Sequence, residues 1–197
     1  MENWITNVNL VGTHIKLKAL QADHQNDLLK AAEDGELWDL WYTNIPGPDT
    51  IQEYVTDALK SKENGTSYPF VVTDKQGKVI GTTRYLNLDP INNRLEIGAT
   101  WYALSVQKTL VNTECKYQLL KYAFESLNVI AVEFRTHWHN HASRNAILRL
   151  GAKQDGVLRN HTIDHLGRIR DSVVYSILNS EWLAVKQSLE FKLSKKR

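Results

Sequence analysis

Glu96 lies within an alternating segment, Arg94–Tyr102. There Leu95, Ile97, Ala99 and Trp101 fall on one face, and Arg94, Glu96, Gly98, Thr100 and Tyr102 on the other. A carboxylate beside an amine can take its proton, directly or through water. The plainer role is a surface salt bridge with Arg84 or Arg94. Downstream, Gln107–Thr113 runs from a strand into a helix, and a helix N-terminus offers unpaired N–H donors and a positive dipole end to a pyrophosphate. Lys108 would add charge, although Asn112 or Thr113 could simply cap an ordinary connection. Asn140 is a good N-cap, with Ser143 at the third helical position. His137, His139 and His141 alternate, with His161, Asp164 and His165 further on, and imidazoles so spaced can bind zinc. His141 would fall inside the helix begun by Asn140, however, and no carboxylate-rich ligand segment accompanies the run, so no metal is expected. Trp38, Trp41 and Tyr42 precede a Pro-bounded loop at 43–48, where such rings are either core or the wall of a site.

These residues need elements to hold them. Residues 14–20 alternate like a strand, and Asp23 is expected to cap a helix over Leu28, Leu29, Ala31 and Ala32. Asp49 or Thr50 starts a second helix carrying Ile51, Tyr54, Val55, Ala58 and Leu59, with Gly65 just past its end. Strands follow at 68–73 and 78–86, joined through Asp74-Lys75-Gln76-Gly77, and then the Glu96 strand. A helix is expected over 111–127, a strand over 130–136 and a helix over 140–150 stopped by Gly151. Residues 157–163 and 171–177 suit a hairpin, and Ser180 a cap for a last helix with Trp182, Val185 and Leu189. Helices alternating with mostly sequential strands imply an α/β or α+β sheet covered on both faces.

The 197 residues suit one domain over 1–197, since no repeat, low-complexity stretch or linker interrupts them. Apolar residues at 42% and charged residues at 23% are ordinary for a globular chain. A net charge of +2 argues against nucleic acid, and the basic run at 192–197 reads as a solvated, frayed tail. No stretch approaches the roughly 18 apolar residues of a membrane span, and the N-terminus lacks the pattern of a signal peptide. With one cysteine, Cys115, and no intramolecular disulfide, a soluble cytoplasmic protein is expected, not associated with membranes. Cys115 sits on the apolar stripe of its helix and should be inert. The sequence allows a homodimer without selecting it.

Several segments resemble, in order, the GCN5-related N-acetyltransferase (GNAT) superfamily. The run EIGATWYALSVQKTLVN from Glu96 to Asn112, followed by Thr113-Glu114, resembles that superfamily's strand, Gln/Arg-x-x-Gly-x-Gly/Ala loop and helix, with Gln107 at the first loop position. Asn140-x-x-Ser143, Leu150-Gly151-Ala152 and Asp155-Gly156-Val157-Leu158-Arg159 resemble its later Asn-x-x-Ser and Leu-Gly-Phe…Glu-Gly-x-x-Arg runs. Leu10–Leu20 is similar to the first strand of the RimJ/RimL-like branch. One departure stands out: Leu110 and Asn112 occupy the two small loop positions, although leucine keeps its N–H.

The resemblance implies a mixed, mostly antiparallel sheet of about seven strands, helices on both faces and a splayed central parallel pair, Arg94–Tyr102 and Ile130–Thr136. It implies transfer of the acetyl group of acetyl-CoA, without a metal, to an amine of a small molecule, a peptide or a protein N-terminus. Gln107, Lys108, Thr109, Leu110, Val111, Asn112 and Thr113 would surround the pyrophosphate. Backbone groups of Trp101 and Tyr102, with Asn140, would hold the pantetheine arm. Ser143 would lie near the sulfur and Glu96 near the amine, while Trp41, Tyr42 and Arg84 would line the acceptor side. The Leu110 and Asn112 departures leave a non-catalytic CoA- or metabolite-binding module as the alternative, with a His-rich metallohydrolase third.

Overall fold

The computed structural model describes residues 4–164 and 166–195. Among the described residues eight strands form one sheet in the order β1-β2-β3-β4-β5-β6-β8-β7: β1 (Leu10–Val11), β2 (Ile15–Ala19), β3 (Tyr68–Asp74), β4 (Val79–Asp89), β5 (Arg94–Tyr102), β6 (Ala131–His137), β7 (Lys153–Ile163) and β8 (Ile169–Leu178). Every neighbouring pair is antiparallel except β5–β6. The count exceeds the expected seven or so by the two-residue β1, too short to leave a periodic signal. The helices are α1 (Gln25–Glu33), α2 (Ile51–Glu63), α3 (Val111–Glu125), α4 (His141–Leu150) and α5 (Trp182–Ser194).

The helices divide the core in two. Cys115, Leu119, Leu120 and Ala123 of α3 pack with Ile147 and Leu150 of α4 and Trp182, Val185 and Leu189 of α5 against one face of the sheet. Leu28, Ala31 and Ala32 of α1 pack with Ile51, Val55 and Ala58 of α2 against the other, reaching Val71, Val79 and Trp101. Each set recurs at helical spacing because each helix buries one stripe.

Two caps differ from expectation. Asp23 lies inside a short 3-10 turn, Ala22–His24, and the amide of the preceding Gln21 donates to His24 Nδ1 at 3.1 Å. Ser180 likewise falls within a 3-10 turn, Asn179–Glu181, and Glu181 Oε2 accepts from Leu178 N at 3.0 Å. In both places the chain enters the α-helix through a tighter turn, so the residue that looks like a cap is already helical. Thr50 does precede α2, but its hydroxyl accepts from Gly47 N at 3.0 Å rather than capping the helix. The basic run begins inside α5, where Lys192 Nζ reaches Arg149 O at 2.5 Å; its residues 196 and 197 lie outside the described residues.

The docking of α5 gives a test with a built-in control. Leu189 is fully buried, whereas Leu183 on the same helix is 80% exposed. Leu189→Ala should cost about 2–5 kcal/mol by urea denaturation, and Leu183→Ala less than about 0.5 kcal/mol. Equal effects would mean that α5 does not pack as described.

Candidate active site

β5 and β6 pair over only three residues, Arg94↔Ala131, Leu95↔Val132 and Glu96↔Glu133. Beyond Glu96, β5 bonds only to β4, and β6 only to β8. A wedge opens there, and both strands run on along its sides. The bulge in β5 marks the parting: Thr82 pairs with Trp101 and Arg84 with Gly98, so Ala99 and Thr100 together face Thr83. Ala99 takes a left-handed φ of 45°, which costs a non-glycine residue about 1–3 kcal/mol.

The bulge also resets the alternation. Leu95 and Ile97 join the α3 side as expected, but Trp101 packs on the α1–α2 side and Tyr102 returns to the α3 side. The extra residue shifts parity by one. Ala99 itself is exposed. Trp101 therefore shares the face of Glu96, and its indole Nε1 donates to Tyr54 Oη on α2 at 3.2 Å.

Glu96 is buried, and its partners are not the expected ones. Asn87 Nδ2 donates to Glu96 Oε2 at 2.8 Å, and Arg135 Nε stands 3.7 Å from the same oxygen. Arg94 approaches Glu133 instead, at 3.7 Å, and Arg135 also bonds Glu133 Oε1. Burial pushes the Glu96 carboxyl above its usual range, against the opposing pull of Arg135 and Asn87. Asn87 reaches it from a left-handed backbone, φ 48°, which asparagine tolerates better than most residues. Gly98 leaves the necessary room: a Cβ there would lie 2.8 Å from both Glu96 Oε1 and Leu86 Cδ1. Arg84 shares this face but stacks over Tyr54, 4.4 Å from its ring centre, and its Nε and Nη2 have no hydrogen-bond partner among the described residues.

At its far end β5 leads through a 3-10 turn, Leu104–Val106, into α3. Gln107 Nε2 donates to Tyr102 O at 2.9 Å, tying the loop back to the strand, so this side chain shapes the loop. The left-handed turn falls at Lys108, φ 60°. Leu110, the N-cap residue of α3, takes φ −74° and ψ −13°, which any residue adopts, so this path requires no glycine there. Thr109 Oγ1 accepts from Val111 N at 3.3 Å, while the amides of Asn112 and Thr113 sit in the first turn of α3, where intrahelical acceptors run out.

β6 leads likewise into α4. Asn140 is the N-cap, its Oδ1 accepting from Ser143 N at 3.0 Å. Ser143 is half-buried, with no partner for its hydroxyl among the described residues. Both helix N-termini thus follow the carboxyl ends of β5 and β6, the one parallel pair among the described residues.

Of the aromatic residues after α1, Trp38 packs against the α1–α2 core, whereas Trp41 and Tyr42 do not. Trp41 is 52% exposed and meets Tyr42, His137 and His139 at ring-centre distances of 5.5, 5.2 and 5.7 Å. Arg168, from the β7–β8 turn, lies over its ring and donates to Trp41 O at 3.2 Å. His137 and His139 sit together, His137 Nδ1 accepting from His139 N at 3.0 Å, while His161 Nδ1 meets Ser172 Oγ at 3.0 Å. Asp164 binds Leu166 N and Arg168, and His165 lies outside the described residues. Among the described residues no group of three or more His, Cys, Asp and Glu forms that could hold a metal, and no helix is long and apolar enough to cross a membrane. Cys115 is buried, and burial raises its thiol pKa.

Three residues around Glu96 were not anticipated: Asn87, Glu133 and Arg135. The alternation of β6 held a signal for two of them, since Glu133 and Arg135 share the face opposite Val132 and Phe134.

The Acetyltransferase (GNAT) domain family matches residues 14–153. A curated relative, "Putative ribosomal N-acetyltransferase YdaF" of Bacillus subtilis (strain 168), is 33% identical over 68% of this chain and 68% of its own. Among solved structures, a GCN5-related N-acetyltransferase from Brucella melitensis superposes with a TM-score of 0.86 at 30% identity, covering 96% of this chain and 87% of that one. RimL, a ribosomal L7/L12 alpha-N-protein acetyltransferase, shares the fold at 16% identity, with a TM-score of 0.77 over 88% of this chain and 96% of its own. The wedge between two parallel strands, each leading into a helix N-terminus, therefore lies in a protein of the GNAT superfamily, in its RimJ/RimL-like branch.

Proposed function

We propose that this acetyltransferase moves the acetyl group of acetyl-CoA directly to a primary amine, and that the wedge between β5 and β6 receives the co-substrate. The observation that carries the reading is the parting of the parallel pair after Glu96 and Glu133, with helices at both carboxyl ends. Ligands of open α/β sheets lie in such crevices, and a pyrophosphate suits a helix N-terminus. The amides of residues 109–113 are the proposed pyrophosphate donors, with Lys108 adding charge and Gln107 holding the loop. The unpaired side of β5 through Trp101 and Tyr102 would bond the pantetheine amides, and Asn140 would border the arm.

In this reading Glu96 accepts the amine's proton, directly or through water. A buried carboxyl with a raised pKa is a better proton acceptor than an exposed one. Backbone N–H groups along β5 stabilise the oxyanion. The Ser143 hydroxyl relays a proton to the departing thiolate and regains one from water, while Glu96 gives up the amine's proton to solvent. Trp41, Tyr42 and Arg84 form the acceptor side. The relatives' names point to ribosomal proteins, and a protein N-terminus is the acceptor we favour over a free small amine. The ordinary backbone of Leu110 weakens the case for a non-catalytic module. One buried thiol fits a cytoplasmic location.

The direct test is thiol release from acetyl-CoA with a panel of amine acceptors, among them peptides with free N-termini. Acceptor-dependent release is expected; its absence with every amine would overturn the reading. Coenzyme A at about 100 times its Kd should add roughly 2.7 kcal/mol of stability by mass action, visible as a rise in Tm. No shift at millimolar concentration would contradict the proposed binding loop.

Glu96→Gln should slow transfer about 10²–10⁴-fold near neutral pH, with the loss shrinking at high pH, where free amine is abundant. Coenzyme A affinity should stay within about threefold, because Glu96 lies apart from the binding loop. Ser143→Ala should also slow transfer, but without that rescue by alkali. Stability gives a second reading of Glu96. Its folded pKa is raised, so the folded state holds more protons in the window above the usual carboxylate value, and stability falls as pH rises through it. Glu96→Gln should therefore melt higher than wild type at pH 7, and the difference should close below about pH 4. Unchanged rates from pH 6 to 9 would make Glu96 a structural carboxylate.

A further inference from the structure

Lys116 is buried in α3, on the sheet face opposite Glu96. Its ammonium donates to Thr83 Oγ1 on β4 at 3.2 Å and to Thr100 Oγ1 on β5 at 2.5 Å. The two hydroxyls are themselves 2.7 Å apart, and Thr100 Oγ1 donates to Gly98 O at 3.2 Å. Gly98 and Thr100 flank Ala99, the left-handed bulge residue. The lysine thus fastens both ends of the bulge to β4 and α3.

No carboxylate neutralises it among the described residues. Glu114, two positions away, turns to the N-terminal hairpin, accepting from Thr13 N and from His14 N. This layer also holds the Cys115 thiol on α3, Tyr102 on β5, Tyr85 on β4, whose hydroxyl donates to Leu119 O at 2.6 Å, and Tyr68, Tyr117, Tyr122 and Tyr175. Tyr85 and Tyr102 are neutral at physiological pH, because burial holds both well above the usual tyrosine value. Burial lowers the Lys116 pKa to about 8, so ionisation is costly there. For folding alone, an apolar side chain of the same length would serve better.

The far side of the bulge is the unpaired edge of β5, where the proposed reaction takes place. We propose that Lys116 is a positioning residue for acyl transfer: it pins the β5 bulge from behind and sets a positive potential beneath the edge on which the oxyanion would form. The inference rests on the acetyltransferase mechanism proposed above. Lys116 touches no reactant in it and acts through Thr100 and the bulge backbone.

The test is Lys116→Met, followed by thermal melts and by steady-state rates from pH 6 to 9.5. Removing a buried, unneutralised charge should raise Tm at pH 7, whereas removing a purely structural clamp would lower it. The value of kcat should fall roughly tenfold or more, less than the ~10²–10³-fold lost with a direct oxyanion donor. KM for acetyl-CoA should stay within about threefold, because the cofactor loop is elsewhere. The wild-type rate should decline above about pH 8 as Lys116 loses its proton, and the variant should lack that limb. Lys116→Gln keeps hydrogen bonds to the threonines without the charge, and it should show the same loss of rate and of the alkaline limb. A folded Lys116→Met with the wild-type kcat and pH profile overturns the proposal, as does a lower Tm in both variants or failure of both to fold. An inactive wild type would sink the acetyltransferase reading itself; an active wild type with indifferent variants sinks only the role of Lys116.

Discussion

Pairing between β5 and β6 ends after three residues, and the candidate site depends on that break. Parallel strands ordinarily stay hydrogen-bonded along their length. Here β5 bulges at Ala99 and keeps its bonds to β4, while β6 follows β8, so the two part. A bulge increases local twist and leaves one residue outside the ladder. Because the connections from β5 and β6 both lead into helices, the parting also separates two helix N-termini, those of α3 and α4. The open strand edge of β5 and the starts of two helices thus follow directly from the parted pair.

The same strand separates two buried charges of opposite sign. On the α1–α2 face, Glu96 sits with Asn87 and Arg135, above the space left by Gly98. On the α3 face, Lys116 sits with Thr83 and Thr100. Both are desolvated, and both have pKa values moved toward neutrality by burial, the carboxyl upward and the ammonium downward. They differ in company. Glu96 belongs to a chain of ions through Arg135, Glu133 and Arg94, whereas Lys116 meets only hydroxyls.

Much of the fold was legible because its elements are strongly periodic. The strand and helix stripes of Phe70, Leu119, Val132 and Leu189 bury as their spacing implies. The misses have local causes. Asp23 and Ser180 look like caps but fall inside 3-10 turns that precede the helices. The faces of β5 were assigned by strict alternation, and the bulge at Ala99 inverted them for Trp101 and Tyr102. A left-handed alanine has no compositional mark, so this inversion was not visible in the sequence. The candidate residues Glu96, Asn140 and Ser143 lie at strand and helix-start positions that spacing defines, and the resemblance supplied their proposed roles. The partners of Glu96 come from a turn at Asn87 and from a strand about forty positions away, and only tertiary pairing brings them together. Lys116 lies at i−4 and i−7 from Leu120 and Ala123 on the buried side, but a lone lysine in a helix carries no mark of burial.

The central claim is that coenzyme A occupies the crevice between β5 and β6. Amide hydrogen exchange, with and without saturating coenzyme A, addresses it without requiring an acceptor or turnover. Protection should rise at residues 97–102 along the open edge of β5 and at 109–113 at the start of α3, with the β1–β2 turn and the body of α5 unchanged. Protection confined to other segments, or none at 97–102 under conditions where binding is saturated, would contradict the account.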